Sequence, residues 1–297
     1  MPNKPSLALI SLGCDKNLVE SERILGALSN GVFIVSDVNA ADIVIINTCG
    51  FIQAAVDEAH EQINEVLNQR KLNAHVIVTG CFVQRFLHDL PPQYPDIHAF
   101  VADFAEVQKA VADLVGGTWN EGQWRVLSTP SHYAYLKIAE GCDNCCTYCT
   151  IPLIKGGLKS VPMDELLSEA AALAATGVKE LILIAQDTAV YGRDIYGESR
   201  LPHLLQELAK IPAIKWLRLM YCYPEHISDG LVEEIAANPK VCKYLDMPIQ
   251  HSSSSVLDRM GRKMDESGLR GLITRLRTRI PGIALRTTVI TGFPGET

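Results

Sequence analysis

The chain has no apolar run approaching the ~20 residues that a membrane-spanning helix requires. Its amino end lacks the build of a secretory leader. The apolar run Leu7–Leu12 is short and stops at Gly13-Cys14-Asp15-Lys16, which is the pattern of a strand. Basic residues are not in excess either: 27 Lys and Arg stand against 34 Asp and Glu, a formal charge of −7. Phosphate binding rests on clustered Lys and Arg, so this balance argues against an extended surface for direct nucleic-acid binding. Low-complexity segments and internal repeats are also missing. What remains is a 297-residue chain of 47% hydrophobic content, enough for two domains with cores of their own.

Cysteine, in contrast, is abundant: there are nine, an odd number. A secreted disulfide framework is short, even-numbered and exported, and this chain has none of those marks. Reduced thiols used for metal binding or catalysis fit better, and they predict a cytoplasmic protein.

Strand and helix signals alternate through the first 115 or so residues. Leu7–Leu12, Val32–Val35, Ile43–Ile46 and His75–Thr79 read as buried parallel strands. Between and after them, helices are predicted to about Leu28, over Ala54–Leu67 and over Phe104–Val115. The first is expected to open with Asn17 as N-cap and Glu20 three residues on. A segment with Gly116, Gly117, two Trp and Pro130 looks like a connection. A second βα series follows, with strands at Tyr133–Ile138, Glu180–Ala185, Lys215–Tyr221, Tyr244–Ile249 and Ile283–Ile290. The predicted class is α/β: an N-terminal doubly wound parallel-sheet domain (1–118), a linker (119–132), and a partial (β/α) barrel (133–297).

The strongest local signal is Cys142-Asp143-Asn144-Cys145-Cys146-Thr147-Tyr148-Cys149. Cys142, Cys146 and Cys149 form C-x3-C-x2-C on a loop just after a predicted strand. Three thiolates can hold three irons of a cubane and leave the fourth without a protein ligand, whereas electron-transfer clusters normally use four cysteines. The open iron can chelate S-adenosylmethionine (SAM), whose one-electron cleavage yields an adenosyl radical. A structural zinc site, with the pairs Cys142/Cys145 and Cys146/Cys149, is the alternative, but four thiolates on eight residues would be crowded. Cys145 is therefore read as a bystander.

Cys14, Cys49 and Cys81 each fall just past the carboxyl end of a predicted strand, the edge where open α/β sheets bind ligands. Three buried apolar cysteines would be the plain alternative. The shared position beside Gly13, Gly50 and Gly80, where backbone could approach a cofactor, favours a second cluster. Cys222 and Cys242 have no such companions and read as packing residues.

Two three-cysteine sites in this order resemble those of the methylthiotransferases, radical SAM enzymes with two [4Fe–4S] clusters. The likeness extends over essentially the whole chain. The run from Ser11 to Glu22 (Ser-Leu-Gly-Cys-Asp-Lys-Asn-Leu-Val-Glu-Ser-Glu) is similar to the RimO type, which modifies an aspartate of ribosomal protein uS12. The tRNA-modifying branch more often has Gly-Cys-Gln-Met-Asn there. Gln186-Asp187-Thr188, Tyr221-Cys222-Tyr223-Pro224, Asp246-Met247-Pro248-Ile249-Gln250-His251 and Gly292-Phe293-Pro294-Gly295-Glu296-Thr297 are also similar to the RimO pattern.

The resemblance implies that Cys14, Cys49 and Cys81 bind an auxiliary cluster, and Cys142, Cys146 and Cys149 the radical cluster. It implies SAM as cofactor, with the SAM carboxylate at Arg286 and ribose or substrate at Gln186 and Gln250. An ion pair remains the alternative for Arg286, and a structural role for His251. The implied reaction places a methylthio group on the β-carbon of a uS12 aspartate. An electron donor such as flavodoxin or ferredoxin is expected, and the sulfur donor is left unspecified. A tRNA methylthiotransferase and a silent iron–sulfur or zinc scaffold are the competing readings. Two positions depart from the pattern: Lys155 stands where arginine is usual before Gly156, and Val161 where arginine is usual before Pro162. Family members continue past Thr297 with a last barrel strand and a small substrate-binding domain, which are expected to be absent here.

Overall fold

The structure is a computed structural model, describing residues 4–115 and 125–297. They form two compact units, Met1–Ser128 and Thr129–Thr297.

In the first unit, β1 (Ser6–Ser11), β2 (Phe33–Ile34), β3 (Ile43–Thr48), β4 (His75–Gly80) and β5 (Ala99–Val101) make one sheet in the order β2-β1-β3-β4-β5. Every pairing is parallel. The central strand β3 is Ile-Val-Ile-Ile-Asn-Thr and wholly buried, as a strand covered on both faces must be. Helices cover both faces: α1 (Asp15–Leu28), α2 (Gln53–Gln69), α3 (Cys81–Phe86), α4 (Leu90–Gln93) and α5 (Phe104–Val115). On one face α2 lays Val56, Ala59, Ile63 and Val66 against Val44, Ile46, Val76 and Val78. On the other, Ile24 and Leu28 of α1 and Val107 and Val111 of α5 meet Leu7, Ile43, Ile45 and Ile77. Each such fully buried aliphatic side chain contributes about 1.5–3 kcal/mol. The expected doubly wound sheet is what these two cores build.

Two expectations in this unit need correction. Asn17 does not cap α1; the helix begins at Asp15 with Cys14 as N-cap and no side-chain cap bond. The Asn17 amide instead donates to the carbonyls of Leu12 and Thr48, tying the helix to the ends of two strands. Of the linker expected at 119–132, residues up to 124 lie outside the described residues. Its next part belongs to the first unit rather than forming a free connection. Arg125 is buried in an ion pair with Glu22, and Ser128 donates to Glu22 through both its amide and its hydroxyl.

In the second unit, β6 (Tyr133–Lys137), β9 (Glu180–Ile184), β10 (Trp216–Leu219), β11 (Val241–Asp246) and β12 (Ala284–Arg286) lie parallel in the order β12-β11-β10-β9-β6. A short antiparallel pair, β7 (Ala139–Glu140) with β8 (Lys159–Ser160), leaves the sheet next to β6. The helices are α6 (Ile151–Lys155), α7 (Met163–Ala175), α8 (Arg193–Tyr196), α9 (Leu201–Ala209), α10 (Asp229–Ala237), α11 (Ser254–Arg259) and α12 (Glu266–Arg279). This is an open, partial (β/α) barrel. The strand expected at Tyr244–Ile249 begins and ends three residues earlier, because Pro248 cannot donate to a ladder. Met247–Gln250 thus become a loop at the carboxyl edge. The strand expected at Ile283–Ile290 shortens to three residues, with one further bridge from Val289 to Gln250.

Candidate cofactor sites

In the first unit the sheet order reverses between β1 and β3, and the carboxyl ends of strands at such a switch point are where open α/β sheets bind ligands. Cys14 and Cys49 follow those two strands, and Cys81 opens α3 after β4. Asn17 joins two of the thiols: its Oδ1 is 3.9 Å from Cys14 Sγ and 3.7 Å from Cys81 Sγ. Cys49 closes the group from the Gly13 side. A Cβ on Gly13 would stand 2.7 Å from Cys49 Cβ and 3.3 Å from its sulfur, at a φ of +90° that side chains avoid. A Cβ on Gly50 would meet the Phe82 backbone, and one on Gly80 the Thr48 carbonyl. The glycines thus let the three strand ends pack closely on each other. Burial pushes the Cys49 thiol up, the Phe51 and Gly50 amides pull it down, and neighbouring Cys14 adds to the rise.

In the second unit the loop between β7 and α6 carries Cys142 to Cys149. Several tethers hold it. Cys142 N donates to Gly156 O at 3.1 Å, Thr147 N to Met260 O at 3.0 Å, and Thr147 Oγ1 to Arg259 O at 2.9 Å. Asp143 accepts from Leu158 N, and Asn144 Nδ2 reaches Asp187 Oδ2 at 3.3 Å. Cys149 N donates to Cys146 O, which curls the last turn back over the loop. Cys142, Cys146 and Cys149 are half-buried, while Cys145 is exposed. Burial raises the Cys142 and Cys149 thiols; the Asn144 amide opposes the first rise, and Asp187 adds to it.

Among the described residues no three Cys, His, Asp or Glu side chains close tightly enough to chelate a single ion. A tetrahedral ion needs each sulfur within about 2.3 Å of it. Corners of a polynuclear cluster stand farther apart, so an all-thiol donor set of this kind suits iron–sulfur ligation.

The other expected residues line the carboxyl edge of the barrel. Gln186 follows β9, and its Oε1 is buried with no hydrogen-bond partner. Gln250 sits in the loop after β11 at φ +70°, and Tyr221, after β10, at φ +60°. Arg286 ends β12 and donates to Asp246 Oδ1 at 2.9 Å; its side chain is 54% exposed, that of Asp246 only 1%. Asp246 also accepts from Tyr221 N. His251 accepts from Ser253 N and contacts Glu296. Cys222 is fully buried against Thr188 Oγ1 at 3.1 Å, and burial pushes its thiol up to about 12, as suits a packing residue. Cys242 is half-buried and sits far down β11.

Three residues at these sites escaped the sequence reading. Asn17 has the sequence spacing of a helix cap, which masks its contact with the thiols. Asp187, buried, gathers Ala189 N, Tyr223 N, His226 Nδ1 and Asn144 Nδ2. Its only signal was its place between Gln186 and Thr188. Arg262, whose guanidinium lies 3.7 Å from the Tyr223 ring centre, had no motif to announce it.

Residues 136–297 match the radical SAM superfamily, and residues 6–102 match Uncharacterized protein family UPF0004. Fold and loop together define a radical SAM protein. Ribosomal protein uS12 methylthiotransferase RimO of Clostridium novyi is 46% identical over 310 residues, covering 99% of this chain and 70% of the relative. That of Alkaliphilus oremlandii is 48% identical over 304 residues, covering 98% and 69%. The chain belongs to the RimO-type methylthiotransferase family, whose members are SAM-dependent transferases of a sulfur-containing group. Among solved structures, the radical SAM methyltransferase TsrM of Kitasatospora setae superposes with a TM-score of 0.71 at 14% identity, over 99% of this chain and 71% of that one. The cobalamin-dependent radical enzyme OxsB gives 0.65 at 11%, over 96% and 49%. These two likenesses are of fold alone.

Proposed function

We propose that this protein places a methylthio group on the β-carbon of an aspartate of ribosomal protein uS12, in the cytoplasm, using SAM and two [4Fe–4S] clusters. The observation that carries the reading is the pair of three-thiol sites, each at the carboxyl edge of a parallel sheet, in a chain 44–48% identical to RimO proteins throughout. Cys142, Cys146 and Cys149 would hold the radical cluster; Cys14, Cys49 and Cys81 would hold the auxiliary one. Bound at the first, SAM and a reduced cluster supply a radical able to take hydrogen from an unactivated carbon.

The chain's own residues do the rest. The tethers hold the loop that carries the three thiols, which would ligate three irons of a cubane and leave the fourth to SAM. Gln186 offers a buried acceptor with no partner to a ribose or substrate hydroxyl, and Gln250 lies on the same carboxyl edge, two strands away after β11. Arg286, anchored on Asp246, would present its guanidinium to the SAM carboxylate. A reduced flavodoxin or ferredoxin would supply electrons. The acidic balance of the chain suits a basic ribosomal protein through long-range steering. Mass spectrometry of uS12 and tRNA from a strain lacking the gene tests this. Loss of the methylthio group from uS12 is expected; loss from tRNA with uS12 unchanged would overturn the substrate.

A further inference from the structure

We propose that the Tyr223 hydroxyl donates a hydrogen bond to the Cys146 sulfur and, with the Arg262 guanidinium stacked on its ring, raises the reduction potential of the cluster held by Cys142, Cys146 and Cys149. The inference rests on the cluster assignment made above and names two positioning residues for it.

Tyr223 Oη lies 3.4 Å from Cys146 Sγ, on the middle of the three thiols. In the free thiol either atom can donate. A cluster-bound thiolate has no proton, so the hydroxyl becomes the donor. The geometry is held from several sides. Tyr223 N donates to buried Asp187, whose other oxygen holds Asn144 on the cluster loop. The ring stacks on His226 at 5.2 Å with an interplanar angle of 27°. The Arg262 carbon stands 3.7 Å from the ring centroid, and the side chain is only 2% exposed. Its Nη2 donates to Pro248 O at 3.0 Å and meets Glu225 Oε2 at 3.4 Å, a loose pairing that offsets only part of its charge.

Both groups act in one direction. A hydrogen bond withdraws electron density from the sulfur, and a desolvated cation over the phenol ring strengthens the O–H as donor. A reduced cluster carries one more negative charge than an oxidised one, so each stabilises the reduced form. Hydrogen bonds to cluster sulfurs and burial are recognised levers on such potentials. A tyrosine whose hydroxyl served packing alone would not need to be aimed at a ligand sulfur.

The test is an EPR-monitored redox titration of the whole chain, reconstituted anaerobically, as wild type, Tyr223→Phe and Arg262→Gln. The cluster with the open iron is recognised by the change in its signal when SAM is added. With iron and sulfide content unchanged, Tyr223→Phe is expected to lower the reduced-to-oxidised ratio at fixed potential about tenfold, about 59 mV for a one-electron couple. Its iron–thiolate stretching frequencies should rise in resonance Raman spectra. Arg262→Gln should move the potential the same way. A wild-type potential in Tyr223→Phe, or loss of the cluster in that variant, would overturn the tuning role. An unmoved potential in Arg262→Gln would remove the cation from it. A wild type that binds no SAM-responsive cluster would instead refute the cluster assignment on which the inference stands.

Discussion

Replacing Asp187 by leucine removes the acceptor that organises the edge of the barrel. Four donors converge on this carboxylate: Ala189 N at 3.1 Å and Tyr223 N at 3.2 Å on Oδ1, and His226 Nδ1 at 2.6 Å and Asn144 Nδ2 at 3.3 Å on Oδ2. The residue is 2% exposed, so water cannot take over. The two backbone amides are fixed by their turns and cannot seek other acceptors. Leaving a buried donor unmade costs about 1–3 kcal/mol, so two amides alone give roughly 4 kcal/mol. For a unit of about 170 residues each kcal/mol lowers Tm by roughly 2–4 °C, and a fall of about 8–16 °C is expected. Asp187→Asn is the discriminating companion. Its amide oxygen can keep both backbone bonds, while its NH2 group requires His226 and Asn144 to turn an acceptor towards it. It should lose only about 1–2 kcal/mol. Calorimetry of the iron-free, reduced protein reads both values from the barrel transition. Leucine costing less than about 1 kcal/mol, or asparagine costing as much as leucine, would refute the account of Asp187 as a hub.

Cys146→Ala is expected to abolish SAM cleavage and leave the iron of the first unit in place, and Cys49→Ala to do the reverse, measured by iron per chain and 5′-deoxyadenosine release. Cys145→Ala should change neither; if it, and not Cys146→Ala, removes the radical cluster, the ligand register is wrong. The thiols of Cys49, Cys142 and Cys149 are raised above the ordinary 9.0 by burial. A thiol raised in the folded state favours folding below its unfolded pKa and gives that up as pH rises through the folded value. The iron-free protein should therefore lose stability in urea as pH climbs past about 9. The loaded protein, its thiols already ionised, should not follow; parallel curves would contradict this. Glu22→Gln breaks the buried pair with Arg125 and should destabilise the first unit by about 3–5 kcal/mol. The double change to leucine at both positions should cost less than Glu22→Gln alone, and a larger loss in the double variant would show that the pair is not the cause.

What the sequence made legible follows from which forces act locally. β3 and α2 announce themselves because an unbroken apolar run and a 3–4 spacing of Val56, Ala59, Ile63 and Val66 are direct records of burial. Helices Leu201–Ala209 and Glu266–Arg279 bury residues at the same 3–4 spacing, and the second is capped by Asp265 accepting from Gly268 N. The strand at Val241–Asp246 was displaced because Cys242 and Lys243 break the apolar run while Met247–Ile249 extend it past the point where the ladder ends. The cysteines were legible as ligand types at strand ends, a matter of spacing. Their support was not: Asn17 touching the thiol of Cys81, 64 residues away, or Arg262 over Tyr223, are long-range contacts with no periodic trace. Residues of that kind become visible only when tertiary packing decides which polar groups share a buried space.

The two departures from the family pattern are of different kinds. Lys155 keeps the cation: its side chain is 6% exposed and its Nζ lies 2.9 Å from Glu140 Oε1, while Lys137 approaches the other oxygen at 3.4 Å. Glu140 is on β7, whose pairing with β8 straps the segment after the cluster loop. A lysine supplies charge there without the planar fork of arginine, so the strap survives and bidentate recognition does not. At Val161 the structural work is done by the backbone, whose N–H donates to Ile138 O and whose carbonyl accepts from Tyr191 Oη. The side chain takes no part in either bond, so valine fits the strap and the cation alone is given up. Arg286 also carries positive charge at this edge, held by buried Asp246, which accepts from Tyr221 N as well. Tyr221 and Gln250 hold left-handed backbone at adjoining strand ends, at about 1–3 kcal/mol each. Such conformations persist only where neighbours over-determine them, and here Asp246 and the Gln250–Val289 bridge do so at the rim where SAM would bind.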